Sequence, residues 1–105
     1  MDNLSKELED FLIRLGKDEN GVGERLAGYT RQLLNLLYSS DAKIVEERYG
    51  LFGEQPHTPD ELATRYHTTP DAINKGIAMC LRKIAVTPEW QTMKPMTKLR
   101  AIKLK

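Results

Sequence analysis

A motif of threonine, proline and an acidic residue occurs three times in the second half of the chain, and it constrains the fold more than any other feature. Each copy is typical of a helix start, because the threonine hydroxyl accepts an otherwise unpaired backbone N–H and proline fits the first turn. The acid that follows complements the positive end of the helix dipole. The copies are Thr58-Pro59-Asp60, Thr69-Pro70-Asp71 and Thr87-Pro88-Glu89.

The first two copies lie 11 residues apart, so the helix between them must be short. We expect a helix over about residues 59–65, a turn at 66–68 and a longer helix over about 70–84. A short helix, a turn of three to four residues and a longer helix form the outline of a helix-turn-helix.

The first half of the chain also shows helical rather than strand periodicity. Apolar residues from Leu4 to Leu15 form one stripe, which predicts an amphipathic helix that ends at Gly16. We expect this stripe to cover the domain core, with self-association as the alternative. A polar, glycine-rich stretch at 17–23 is typical of a flexible connector. A second helix with a wide apolar face is predicted over 24–38.

Ser39-Ser40 is expected to end the second helix and to cap a third one over about 41–49, which Gly50 closes. A last helix begins at Pro88, and Pro95 should limit it to about two turns. The predicted fold is therefore all-α, a small helical domain with a C-terminal helix-turn-helix and about five to six helices. The predicted organisation is an N-terminal amphipathic helix and linker (1–22), a helix-turn-helix domain (23–86), and a short helix with a basic tail (87–105).

Composition predicts a soluble, cytoplasmic protein of one domain. A chain of 105 residues allows one small core, and 40% hydrophobic with 30% charged residues is ordinary for a globular chain. The acidic N-terminus is unlike a signal peptide, and no run is long and apolar enough to span a membrane. Cys80, the single cysteine, excludes an internal disulfide, and with His57 and His67 it fits no zinc spacing. We therefore expect no metal, no cofactor and no enzymatic activity.

The net charge is only +1, but the charge is unevenly distributed. Residues 1–20 carry six acids and three bases, residues 21–70 carry seven acids and five bases, and residues 71–105 carry two acids and eight bases. The last third therefore has a charge of +6, which favours a polyanionic partner at one end of the molecule. The alternative is a basic tail that only improves solubility.

The helix predicted over 70–84 has a core face and a polar face. The residues expected in the core are Ile73, Ile77, Cys80, Leu81 and Ile84. The opposite side suits the major groove of DNA, because Arg and Lys bind guanine edges, Asn binds adenine and small side chains allow close approach. An ordinary solvated face with an Asp71–Lys75 ion pair is the alternative. The candidate DNA-binding residues are Thr69, Asp71, Asn74, Lys75, Ala78, Arg82 and Lys83, with Ala72 and Met79 beside them.

Three stretches of the chain, taken in order, resemble region 4 of the sigma-70 family of bacterial RNA polymerase factors. They are Arg48-Tyr-Gly-Leu-Phe-Gly-Glu-Gln-Pro-His-Thr58, Glu61-Leu-Ala63 and Leu81-Arg-Lys-Ile84. The resemblance covers about residues 33–85. It implies a sigma region 4-like helix-turn-helix, whose recognition helix reads the upstream promoter element in the major groove. It also implies that the preceding helices bind the flap of the RNA polymerase beta subunit.

The recognition helix departs from the family pattern at several positions. Pro70 and Ala72 stand where the family has two arginines. Lys75 replaces a glutamine that usually reads a base, and Gly76 replaces a packed aliphatic residue. Residues 1–30 contain no counterpart of the family's region 2 module, so a separate region 2-type protein is one candidate partner.

The predicted function is therefore a transcription regulator that binds duplex DNA and contacts RNA polymerase through residues 33–52. The alternative is a protein-interaction adaptor that binds RNA polymerase or a sigma partner without reading DNA.

Overall fold

The computed structural model describes the backbone of residues 1–103 and the side chains of residues 1–97. The regular secondary structure of residues 1–103 is helical, with no strand, which confirms the all-α class. The seven helices of this part exceed the five to six expected. They are α1 (Asn3–Lys17), α2 (Glu19–Val22), α3 (Glu24–Leu34), α4 (Ser39–Tyr49), α5 (Pro59–Arg65), α6 (Pro70–Ala85) and α7 (Pro88–Lys103).

All three threonine-proline motifs begin helices, as the sequence predicts. Thr58 and Glu61 form a capping box, in which the Thr58 hydroxyl accepts from the Glu61 N–H at 3.1 Å and the Glu61 carboxylate accepts from the Thr58 N–H at 2.8 Å. The Thr69 hydroxyl accepts from the Ala72 N–H at 3.1 Å, and Thr87 caps α7 in the same way. These caps satisfy N–H groups that a helix leaves unpaired, and they set the starts of α5, α6 and α7.

Two predictions for the first quarter of the chain are wrong. Gly16 does not end α1, which continues to Lys17 with Asp18 as its C-cap. Gly16 instead lies against the end of α4, where a Cβ would come within 2.0 Å of the Tyr49 carbonyl oxygen. The expected flexible connector forms the one-turn helix α2, because Val22 is buried in the core and Asp18 caps the turn. Close packing decides the first difference, whereas packing and a local cap together decide the second.

The break between α3 and α4 falls earlier than the sequence predicts. α3 ends at Leu34, and α4 begins directly after Tyr38, so the two serines lie inside α4 rather than before it. Leu37 is buried in the connecting turn, whereas Leu36, which belongs to the apolar face predicted for residues 24–38, is 52% exposed. α4 ends at Gly50, as predicted, and Gly50 adopts the left-handed conformation. The turn thus brings one leucine into the core and leaves its neighbour in solvent.

α7 is longer than the two turns expected. It runs through Pro95 to Lys103, although a proline inside a helix removes one backbone hydrogen bond. Met93 and Thr97 on either side of the proline are buried, and the Thr97 hydroxyl donates to the Lys94 carbonyl at 2.7 Å. Packing of α7 on the core therefore outweighs the proline. The side chains of the basic tail beyond residue 97 lie outside the described residues.

One hydrophobic core joins α1 to helices from both halves of the chain. The α1 stripe faces this core, as predicted, and Leu8, Leu12 and Leu15 are each 1% exposed. Trp90 of α7 is equally buried and packs on Phe11 of α1, with ring centroids 5.8 Å apart. α1 therefore belongs to the packing that supports α6 and α7.

Candidate nucleic-acid interface

A buried carboxylate on α4 holds the end of α5 and the turn before α6. Glu47 is 3% exposed, and its side chain accepts hydrogen bonds from the Arg65 guanidinium and the Tyr66 hydroxyl. A buried carboxylate requires such donors, because an unpaired charge in a protein interior is costly. The turn then passes through His67 in the left-handed region, with φ of 56°. The approach of the chain to α6 is thus set by contacts with α4.

α6 has the buried and exposed faces that its sequence predicts. The residues expected in the core are all buried, namely Ile73, Ile77, Cys80, Leu81 and Ile84. On the opposite side Asp71, Asn74, Lys75 and Arg82 are exposed. α1 packs against α6 but leaves this polar side accessible.

The accessible surface of α6 is displaced to one side of the predicted face. Ala78, one of the candidate contact residues, is half-buried. Met79 is 65% exposed, and Lys83 one turn later is exposed as well. Apart from the two residues next to Gly76 and the backbone of α6 itself, no atom lies within 4 Å of the position that a Cβ on Gly76 would take. Because positions four residues apart share a helix face, the open surface centres on Met79, with Lys75 and Lys83 on either side of it.

Two of the candidate bases are paired within the protein. The Lys75 Nζ lies 3.1 Å from the Asp71 carboxylate one turn earlier on α6, and these side chains are 76% and 77% exposed. The Arg82 Nη1 lies 3.2 Å from the carboxylate of Asp2 at the start of α1. Exposed ion pairs are weak, so a phosphate can compete for either base.

Tyr38 extends the candidate surface beyond α6. Its side chain is 77% exposed, and the Lys83 Nζ lies 6.0 Å from the centre of its ring. Lys83 forms no ion pair among the described residues. Tyr38 was not predicted as a DNA-binding residue, because only the tertiary arrangement brings the start of α4 beside the last turns of α6.

Thr69 and Asn74 differ in what they can offer a ligand. The Thr69 hydroxyl oxygen already accepts a bond from the backbone of α6, so its first role is to cap that helix. The Asn74 side chain is exposed and forms no hydrogen bond within the described part of the chain. Asn74 is therefore free to contact a base edge.

A second surface is an open groove of about 570 Å³ between α3 and α7. Tyr29 and Leu36, which belong to the apolar face predicted for residues 24–38, line it and are 38% and 52% exposed. Met93 and Met96 contribute from α7. The groove therefore exposes apolar surface, mainly from Tyr29 and Leu36.

The His, Cys, Asp and Glu side chains show no grouping for metal binding in the described part of the chain. No three His, Cys, Asp or Glu residues there come close enough to hold a metal ion. Cys80 is buried, and burial raises the pKa of its thiol, which disfavours the reactive thiolate. Among the same residues, no helix is both long enough and apolar enough to cross a membrane.

The chain matches no protein-family model, no curated protein and no solved structure.

Proposed function

We propose that this protein is a transcription regulator similar to sigma region 4, which binds duplex DNA through α6 and contacts RNA polymerase through residues 33–52. The observation that carries the proposal is α6 itself, whose apolar side is buried while Asn74, Lys75 and Arg82 face solvent. α5 and the turn at 66–68 precede α6 in the order and with the lengths of a helix-turn-helix.

Charge and shape support DNA as the ligand of this face. Within α6 the bases Lys75, Arg82 and Lys83 outnumber the single acid, Asp71, and phosphates that these bases neutralise release counterions, which favours binding. Ala72 and Gly76 lie on the exposed side of α6 and have little or no side chain. The backbone of α6 can therefore approach base edges closely, which major-groove reading requires.

The groove between α3 and α7 supports the contact with RNA polymerase. Leu33 and Leu36 belong both to segment 33–52 and to the lining of the groove. The flap of the beta subunit, the partner that the resemblance implies, would cover the exposed Leu36 and the neighbouring Tyr29. A separate region 2-type protein would supply the module that residues 1–30 do not resemble.

The DNA half is tested with the double variant Lys75→Ala/Arg82→Ala, by measuring binding to pooled duplex fragments at two salt concentrations. We expect weaker binding. We also expect the slope of log affinity against log salt concentration to decrease in magnitude by about one for each phosphate that the variant no longer binds. The control Lys17→Ala/Arg25→Ala removes the same charge from exposed positions on α1 and α3. Equal effects of the two double variants would exclude α6 as the interface. Absence of salt-dependent duplex binding by the native protein would exclude DNA binding.

A protein-interaction adaptor that does not read DNA is the second candidate. It is favoured by the internal pairing of Lys75 and Arg82, which occupies two of the bases that DNA would need. Retention of the polymerase beta subunit from nuclease-treated lysate, without affinity for duplex DNA, would favour the adaptor. Failure to retain any polymerase subunit would count against both candidates.

Substitutions at two exposed residues distinguish the functions proposed for the two surfaces. Leu36→Glu places a charge in the groove between α3 and α7, whereas Met79→Glu places one on the open face of α6. Under the leading proposal, Leu36→Glu abolishes binding of the polymerase subunit and keeps DNA binding, and Met79→Glu does the reverse. Loss of both activities in either variant would contradict the assignment of separate surfaces.

A further inference from the structure

The N-terminal cap of α1 places a fixed negative charge beside α6. Asp2 caps α1 with both oxygens, since Oδ1 accepts from the Ser5 N–H at 2.9 Å and Oδ2 accepts from the Ser5 hydroxyl at 3.2 Å. Ser5 itself is completely buried. The Asp2 carboxylate therefore cannot turn away without breaking the cap.

The same carboxylate reaches α6. Its Oδ2 lies 3.2 Å from the Arg82 Nη1, and the two side chains are 44% and 53% exposed. The contact joins the first turn of α1 to the last turns of α6. The Lys75–Asp71 pair lies within α6, so it moves with that helix and brings no charge from elsewhere in the fold.

This arrangement opposes a phosphate contact by Arg82. The guanidinium must either leave Asp2 or bring the phosphate close to the carboxylate, and both alternatives cost free energy. The cost is small because the pair is about half exposed, so DNA can displace the carboxylate. Phosphate contacts carry no sequence information, and the effect should therefore be the same for every duplex.

We propose that Asp2 competes with DNA for Arg82 and thereby limits the affinity of α6 for phosphates. The inference rests on the proposed DNA binding and adds a regulatory contact from the start of α1. It predicts that the native protein binds duplexes of any sequence more weakly than the same protein would without the Asp2 charge.

The variant Asp2→Asn tests this contact, because asparagine caps helices about as well as aspartate but carries no charge. The control Asp10→Asn removes the same charge from the same helix, where Asp10 pairs with Lys6 at 3.5 Å. In titrations of pooled duplex fragments at low salt, we expect Asp2→Asn to bind roughly two- to fivefold more tightly than the native protein. The gain from Asp10→Asn should be less than half as large.

The same pair of variants in an Arg82→Ala background completes the test. Without the guanidinium, Asp2→Asn should have no greater effect than Asp10→Asn, because the coupling partner is absent. Should thermal unfolding show that Asp2→Asn is not folded, Asp2→Ser, which also caps, takes its place.

The outcomes separate this inference from the proposed function. Equal affinities of the Asp2 and Asp10 variants would overturn the inference and leave DNA binding intact. Absence of duplex binding in the native protein and in both variants would overturn the two together.

Discussion

The Tyr49 hydroxyl on α4 donates a hydrogen bond to the Glu9 carboxylate on α1, with the two oxygens 2.7 Å apart. Tyr49 is 6% exposed, and Glu9 also accepts a hydrogen bond from Lys6 at 3.1 Å. The bond ties α1 to the helix whose Glu47 anchors the end of α5. It is therefore a sensitive place to test whether α1 supports the rest of the domain.

Tyr49→Phe should lower the free energy of unfolding by about 1.5 to 3 kcal/mol, because it removes a hydrogen bond to a charged group at a buried position. Urea denaturation of both proteins at pH 7 measures the difference. Tyr29→Phe serves as the control, since Tyr29 is 38% exposed and its hydroxyl has no hydrogen bond among the described residues. Equal stabilities of the two variants would contradict the prediction.

The stabilisation by this pair should depend on pH at both ends of the range. Burial is the largest cause that raises the pKa of Tyr49 far above its ordinary value of 10.0, and the hydrogen bond to Glu9 is the next largest. Partial burial works to raise the pKa of Glu9, but the bonds from Tyr49 and Lys6 outweigh it and lower that pKa below its ordinary 4.5.

Because the pKa of Tyr49 is raised in the folded state, its contribution to stability is complete below pH 10 and decreases as the pH rises above 10. Because the pKa of Glu9 is lowered in the folded state, its contribution is complete above about pH 4.5 and decreases as the pH falls below that value. The difference in unfolding free energy between the native protein and Tyr49→Phe should thus be constant from about pH 5 to 10 and shrink on both sides. Denaturation curves from pH 3 to about 11 test this. If this difference in unfolding free energy grew above pH 10, the predicted direction of the pH dependence would be wrong.

Gly16→Ala should destabilise the protein by at least about 1 to 3 kcal/mol, because the added methyl group would meet the Tyr49 carbonyl oxygen and force α1 away from α4. Gly76→Ala is the matched control. Its methyl group meets open space on α6, so the better helix propensity of alanine should stabilise the fold by about 1 kcal/mol. Melting temperatures of the two variants should move in opposite directions.

Glu47→Gln should lower the free energy of unfolding by about 1 to 3 kcal/mol, since it breaks the ion pair between the buried Glu47 carboxylate and the half-exposed Arg65. The neighbouring Glu46 forms no ion pair among the described residues, so Glu46→Gln should change stability by less than about 0.5 kcal/mol. Hydrogen exchange would locate the effect, and we expect faster exchange in α5 and in the turn before α6. Uniformly faster exchange in all helices would argue against a local anchor.

His67→Gly should increase the unfolding free energy by up to about 1 kcal/mol. The left-handed conformation at this turn is unfavourable for histidine, and glycine removes that strain. The free energy gained in this way exceeds the free energy lost because glycine has more conformational entropy in the unfolded chain. Thr68→Gly, at the next position of the turn and without a positive φ, should instead destabilise. Equal shifts in the two variants would show that backbone strain at His67 is not relieved.

Local signals in the sequence predicted the second half of the fold well. The starts of α5, α6 and α7 follow from caps whose partners lie within three residues, and the left-handed end of α4 at Gly50 follows from a single glycine. Predictions that treated Gly16, the stretch 17–23 and Pro95 as interruptions were wrong. Packing against other helices contributed in each case, and in the stretch 17–23 the Asp18 cap acted together with the burial of Val22.

The candidate site divides in the same way. The exposed positions of Asp71, Asn74 and Lys75 follow from the helical period. Neither the pairing of Arg82 with Asp2 nor the approach of Lys83 to Tyr38 has a signal in the sequence, because the partners come from α1 and from the start of α4.

The amino-acid order by itself determined where helices α5 to α7 begin and which side of α6 is apolar, because caps and helical periodicity act over one or two turns. Only the tertiary structure decided that Leu36 faces solvent, that Gly16 is a contact between helices and that the carboxylate capping α1 pairs with Arg82. These features depend on which distant surfaces share one core, and that is set by the packing of all the helices together.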